Sequence, residues 1–206
     1  MKYSSPQSGF TLVETLVAIT ILLMVISTPL AITSNSAKSS SFSSEQVTAF
    51  FLAQEGVELV GKARDDLLVS RFAGTNINAW SSFTNVTGSG LYRNCFTSVN
   101  PSGCDLTINS GTNGTLQVTN CQTSGACQLS LNTTANNVRA RFNHNHTATG
   151  NVFTPFTRVI TLERISDGSG NVNEVKITSK VTWRTGSIKA GQEVVVESRL
   201  FNVYGN

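Results

Sequence analysis

Charge is what this sequence has least of. Lys, Arg, Asp and Glu make up 13% of its 206 residues, with fifteen basic against twelve acidic side chains and a formal net charge of +3. A dedicated nucleic-acid surface needs clustered Lys and Arg, and this balance argues against a nucleic-acid partner. Catalytic signatures are missing as well. G-x-S-x-G, H-E-x-x-H and a phosphate-binding glycine loop do not occur, so nothing supports an enzyme, a catalytic residue or a cofactor. Metal patterns are equally sparse. The four cysteines lie at intervals of nine, seventeen and six residues, without C-x-x-C or a His-containing zinc spacing. Asn143-His144-Asn145-His146 places two histidines where they would share one face of a strand, but no carboxylate or cysteine stands close in sequence, and a solvated loop is expected. Asp167, Ser169, Asn171 and Glu174 form an oxygen-rich stretch. Val172 stands where a calcium loop needs glycine, so a plain hairpin turn is expected there.

What the sequence does have is one long apolar run, Phe10 to Ile32, of 23 residues with a single formal charge, Glu14. As a helix it would be roughly 35 Å long, enough to cross a bilayer core. A polar leader, Met1 to Gly9, precedes it. A carboxylate near a bilayer centre costs about 2.5–3.5 kcal/mol and is normally paired or functional, or lies near enough to the interface to reach the headgroups. An ordinary secretory signal fits poorly, because its small-residue cleavage site follows the apolar region, whereas here the small residue precedes it.

Ser8-Gly9-Phe10-Thr11-Leu12-Val13-Glu14-Thr15-Leu16 resembles the processing motif of type IV pilins and pseudopilins. The resemblance implies cleavage after Gly9 by a prepilin peptidase and methylation of the new amino group on Phe10. It implies that Glu14 offers its carboxylate to the positive N-terminus of a neighbouring subunit during assembly. An ion pair gains most where water is excluded, and an unpaired partner there is costly. The implied partners are other pilin-like subunits, the assembly machinery and membrane lipid. Lys2 and the amino terminus are the only positive groups before the helix, so that end is expected in the cytoplasm of a bacterial cell. The remainder is expected outside it, first membrane-anchored by a single pass and then in a filament.

Beyond the run, Asn35 to Ser44 is serine-rich, and Pro29 removes a helical hydrogen bond, so a helix bent or partly loosened between Pro29 and Ser44 is expected. Ser44 is a plausible N-cap for a second helical pattern, Glu45 to Val69. Its apolar positions are Val47, Phe50, Val57, Val60 and Leu67, with Phe51, Ala53 and Ala63 beside them. Phe50 and Phe51 read as core, and close packing would account for Gly56 and Gly61. Leu52 to Leu59 also resembles the soluble half of the long helix in minor pilins.

The middle of the chain is broken by Gly and Asn. Leu106–Ile108, Leu116–Val118 and Leu129–Leu131 alternate as short strands. Trp80, Phe83, Tyr92 and Phe96 read either as a satellite cluster beneath the loop or as a surface recognition patch, core use being the commoner fate of such aromatics. Asn85, Asn113 and Asn132 open glycan-type triplets that chance explains in so Asn- and Thr-rich a chain. An even number of cysteines in an exported segment favours disulfides. Of three connectivities, Cys95–Cys104 and Cys121–Cys127 are favoured because each closes a short local loop.

The last quarter carries the clearest strands. Phe156–Ile165, a turn at Asp167–Asn171, an alternating Val175–Trp183, a turn at 185–191 and an alternating Val194–Leu200 predict an antiparallel meander. The fold class is therefore α+β, with a long N-terminal helix packed on a C-terminal antiparallel sheet. The expected divisions are a leader at 1–9, a membrane and assembly helix at 10–33, a linker and amphipathic helix at 34–70, and a β-rich head at 71–206. The functional expectation is a minor pilin or pseudopilin of a type IV pilus, competence or type II secretion filament. A membrane-tethered binding domain that never polymerises is the alternative.

Overall fold

The computed structural model describes residues 9–74, 78–108, 114–133, 142–144, 149–184 and 191–203. Most of the leader, His146, Asn113, Thr134 and residues 185–190 lie outside them. The elements run α1 (Leu12–Phe72), α2 (Ala79–Phe83), a 3-10 turn (Arg93–Cys95), then β1 (Cys104–Ile108), β2 (Leu116–Asn120), β3 (Gln128–Asn132), β4 (Phe142–Asn143), β5 (Asn151–Ser166), β6 (Val172–Trp183) and β7 (Gln192–Phe201). By contacts the chain forms two units, 1–44 and 45–206, with α1 contributing to both.

The serine-rich stretch does not interrupt the helix. Residues 29–44 remain helical, and Ser44 lies within α1 instead of capping a new one. Serine hydroxyls need not break a helix when they bond back to it, as Ser43 Oγ does to the Ser39 carbonyl at 2.9 Å.

Within the second unit all strand pairs are antiparallel. β5, sixteen residues long, is the spine. β6 runs along one side of it, and β7 lies outside β6. On the other side β3 pairs with the start of β5 and β1 meets it at Ile160, with β4 and β2 beyond them. The meander read from the alternation is therefore part of a sheet that has seven strands among the described residues. Its period-two pattern is kept: Val175, Ile177, Val181 and Trp183 are buried, while Val194, Val196, Ser198 and Leu200 are half-buried.

The α1 face that meets the sheet holds five of the eight expected apolar positions, Ala53, Val57, Val60, Ala63 and Leu67, but not Val47 or the two phenylalanines. Ala49, Leu52, Ala53, Leu59, Val60 and Ala63 are buried, with Val57 and Leu67 partly so. Val47, Phe50 and Phe51 are exposed, Phe51 by 63%. Small residues at helical spacing let the backbone come close, and two phenylalanines on that face would hold the sheet away. Gly56 belongs to this contact: a Cβ there would sit far inside van der Waals distance of Ser179 Oγ and 3.2 Å from Arg158 Cδ. Gly61 does not, since a Cβ there would meet only open space.

The four aromatics of the middle region join the main core instead of a satellite. Trp80, Phe83, Tyr92 and Phe96 are buried with Leu59, Ile160 and Ile177. Phe83 is their hub, with ring centroids 5.9 Å from Trp80, 5.8 Å from Tyr92 and 6.4 Å from Phe96. The Trp80 indole N–H donates to the Val172 carbonyl, satisfying the one polar atom this ring buries.

Candidate assembly segment

The first turn of α1 is built by its own sequence. Thr11 precedes the helix, and its Oγ1 accepts the backbone N–H of Glu14 at 3.3 Å, while the N–H of Thr15 bonds the Thr11 carbonyl at 3.2 Å. Thr11-x-x-Glu14 has the residue spacing of a capping box, and the carboxylate lies in the turn where the helix dipole favours negative charge. This local function of Thr11 and Glu14 is readable from four letters and was not part of the sequence expectation. Gly9 and Phe10 lie just before the helix and are exposed, Phe10 by 81%.

The segment that follows is long and apolar enough to cross a membrane, and its most apolar window is entirely exposed. A core helix of the same composition would be buried. Leu12, Val13, Leu16, Ile19, Leu22, Leu23 and Ile26 are each more than half exposed. Four of its hydroxyls bond back to carbonyls of the helix itself. Thr15 donates to the Leu12 carbonyl and Thr20 to that of Val17, both at 2.8 Å. Ser27 donates to Met24 at 3.1 Å and Thr33 to Pro29 at 2.8 Å. A polar group that closes its bonds inside its own helix can face lipid at small cost. Pro29 lies inside α1 and brings no backbone N–H, so the helical bond to the carbonyl four residues earlier is missing there.

In the second unit the four cysteines form two disulfides, Cys95–Cys104 and Cys121–Cys127. The first ties the 3-10 turn to the start of β1. The second closes the loop between β2 and β3. Gly103, at φ 70, lets the chain enter β1 where an added Cβ would collide with the Ile160 carbonyl.

Histidine 144 corrects the sequence expectation. It is not solvated: its side chain is 4% exposed, with Nε2 2.8 Å from Asp105 Oδ2 and Nδ1 3.1 Å from the Gln128 carbonyl. The carboxylate it meets is 39 residues away, which is why inspection of its neighbours missed it. His146 lies outside the described residues. Asp105 continues into a buried ionic cluster. Its Oδ1 accepts from Arg158 Nε at 2.7 Å, and Arg158 also donates to Glu55 Oε2, the Leu52 carbonyl and the Leu106 carbonyl. Burial alone would push the Arg158 pKa down; the charges of Asp105 and Glu55 outweigh it and hold the guanidinium above its ordinary value. Asp167 organises the β5–β6 turn by accepting the N–H groups of Ser169 and Asn171, both at 2.9 Å, and the amide of Asn173. Those bonds, the one from Asn171 foremost, hold its carboxyl below the usual range. Both carboxylate oxygens of Asp167 thus accept hydrogen bonds within the turn.

Residues 4–28 match the family described as the prokaryotic N-terminal methylation motif. That motif is the leader signature of type IV pilins and pseudopilins, and here it spans Gly9, Phe10, Glu14 and most of the exposed apolar segment. No curated protein and no solved structure matches the chain.

Proposed function

We propose that this chain is the precursor of a filament subunit, a minor pilin or pseudopilin of a type IV pilus, competence or type II secretion filament. The observation that carries the reading is the methylation motif seated on a capped, fully exposed apolar helix. In this scheme a prepilin peptidase cuts after Gly9 on the cytoplasmic side, Phe10 is methylated, and the apolar helix holds the subunit in the bacterial membrane. Assembly then moves it into the filament, where Glu14 pairs with a neighbour's N-terminal amine. The disulfide-bonded head lies outside the cytoplasm, where such bonds persist.

The mass of the mature protein tests this directly. A chain beginning at Phe10 and carrying one methyl group is expected. Gly9→Val should abolish the cut, because a branched side chain crowds a site that takes the smallest residue. An intact Met1 on the wild-type membrane protein, or unaltered cleavage of the variant, refutes the proposal.

A further inference from the structure

His144 directly follows β4, a strand of two residues that pairs with β3 at Ser130–Asn143 and Leu131–Phe142. A strand so short has little ladder of its own, and weakly attached segments open at low free energy. The His144 ring supplies a second attachment. Its Nε2 meets Asp105 Oδ2 on β1, and its Nδ1 meets the backbone carbonyl of Gln128 at the start of β3. The carbonyl is an acceptor, and so is the carboxylate, whose other oxygen takes Arg158 Nε and the Leu106 N–H. A neutral imidazole has one N–H and one bare nitrogen. It can donate to one of these two oxygens and must turn a lone pair on the other. Only the imidazolium donates to both. Among the described residues, the charges linked to the ring are Asp105 on β1, Arg158 on β5 and, through Arg158, Glu55 on α1. With the ring protonated, the group holds two positive and two negative charges.

We infer that His144 is a proton-operated latch, which fastens β4 to β1 and β3 as the imidazolium and releases it on losing a proton. The sign follows from the count of donors: acid closes the latch, and alkali opens it. In the neutral form a buried oxygen faces a lone pair in place of a hydrogen, which should weaken closing at least about fivefold. Imidazole suits the task, because it is the side chain that exchanges a proton most readily near neutrality. The device lies within the head and does not depend on filament assembly.

The full-length protein in mild detergent tests this between about pH 5 and 9. Nitrogen NMR of the imidazole counts the ring protons. Hydrogen exchange, with each rate divided by its intrinsic chemical rate at that pH, gives the protection of the β4 amides. That protection should fall at least about fivefold across the same interval in which the ring loses its second proton. Protection of the β6 amides should not change. His144→Gln is neutral throughout, so its β4 protection should be independent of pH. A ring already neutral at the acid end, or one still doubly protonated at the alkaline end, would overturn the inference. So would β4 protection that outlasts the proton, an equal fall in β6, or a His144→Gln profile that falls as the wild type's does.

Discussion

Gly56 stands where α1 meets β6, and two opposing effects decide what a methyl group there would do. Alanine is the better helix former by about 1 kcal/mol. Against this, its Cβ would collide with Ser179 Oγ and press on Arg158 Cδ, and overpacking costs about 1–3 kcal/mol. The collision wins, so Gly56→Ala should lower the melting temperature of the head. Ser179→Ala made in the same chain should recover part of the loss, because it removes the crowding atom. The Ser179 hydroxyl is buried without a hydrogen-bond partner among the described residues, so its removal alone should be close to neutral. Additive losses in a double-mutant cycle would show that the two residues are not in contact. A second residue gives a pH signature. Burial chiefly, and the charge of Asp66, raise the Tyr92 phenol above its ordinary 10.0. Below that value both folded and unfolded chains keep the proton, and the full stability is present. As pH climbs past it, the unfolded chain ionises first, and stability falls through the folded value. Tyr92→Phe should therefore flatten the alkaline limb of a plot of melting temperature against pH above about pH 10; parallel limbs for the two proteins would contradict this.

The elements are joined by an ionic cluster as well as by the apolar core. Arg158 on β5 reaches Leu52 and Glu55 on α1 and Asp105 and Leu106 on β1, and Asp105 carries the link to His144 beside β4. Removing one partner from a buried pair strands the other, at about 3–5 kcal/mol. Arg158→Met should lower the melting temperature of the head by roughly 10 °C. Arg158→Lys should recover less than half of that, since an ammonium cannot reproduce the fork that holds two carboxylates and two carbonyls. Full recovery with lysine would mean that charge alone suffices. This cluster also marks where sequence reading stops. The β6 and β7 alternation and the apolar run of α1 were legible because their signals lie within a few residues. The pairing of Asp105 with Arg158 and His144 was not, because it spans 53 and 39 residues. Helical spacing picked out Ala53, Val57, Val60, Ala63 and Leu67 correctly, but the reading of Phe50 and Phe51 as core was wrong, since both are exposed. The face was set by Ala49, Ala53, Gly56 and Ala63, whose small size permits contact with the sheet.

For the molecule as a whole the question is whether Glu14 serves folding or assembly, and the two can be separated. The cap on α1 uses the backbone N–H of Glu14, not its carboxylate. Glu14→Ala keeps that donor, so the first turn should persist. Insertion into the membrane should be no worse, because a charge costing about 2.5–3.5 kcal/mol at a helix centre has been removed. The head should be unaffected, because its disulfides and its ionic cluster are built within the second unit, which does not include Glu14. What should be lost is entry into the filament, where a neighbour's terminal amine would face a poorly solvating medium without its counter-charge. Glu14→Gln, similar in size but neutral, should fail alike if charge is what matters, and Glu14→Asp should retain part of the activity. The measurement is the ratio of variant to wild type in sheared filaments against the same ratio in membranes, both proteins being expressed in one cell. A filament ratio equal to the membrane ratio for Glu14→Ala would assign the carboxylate to the helix terminus alone, and the pairing with a neighbour's amine would have to be abandoned.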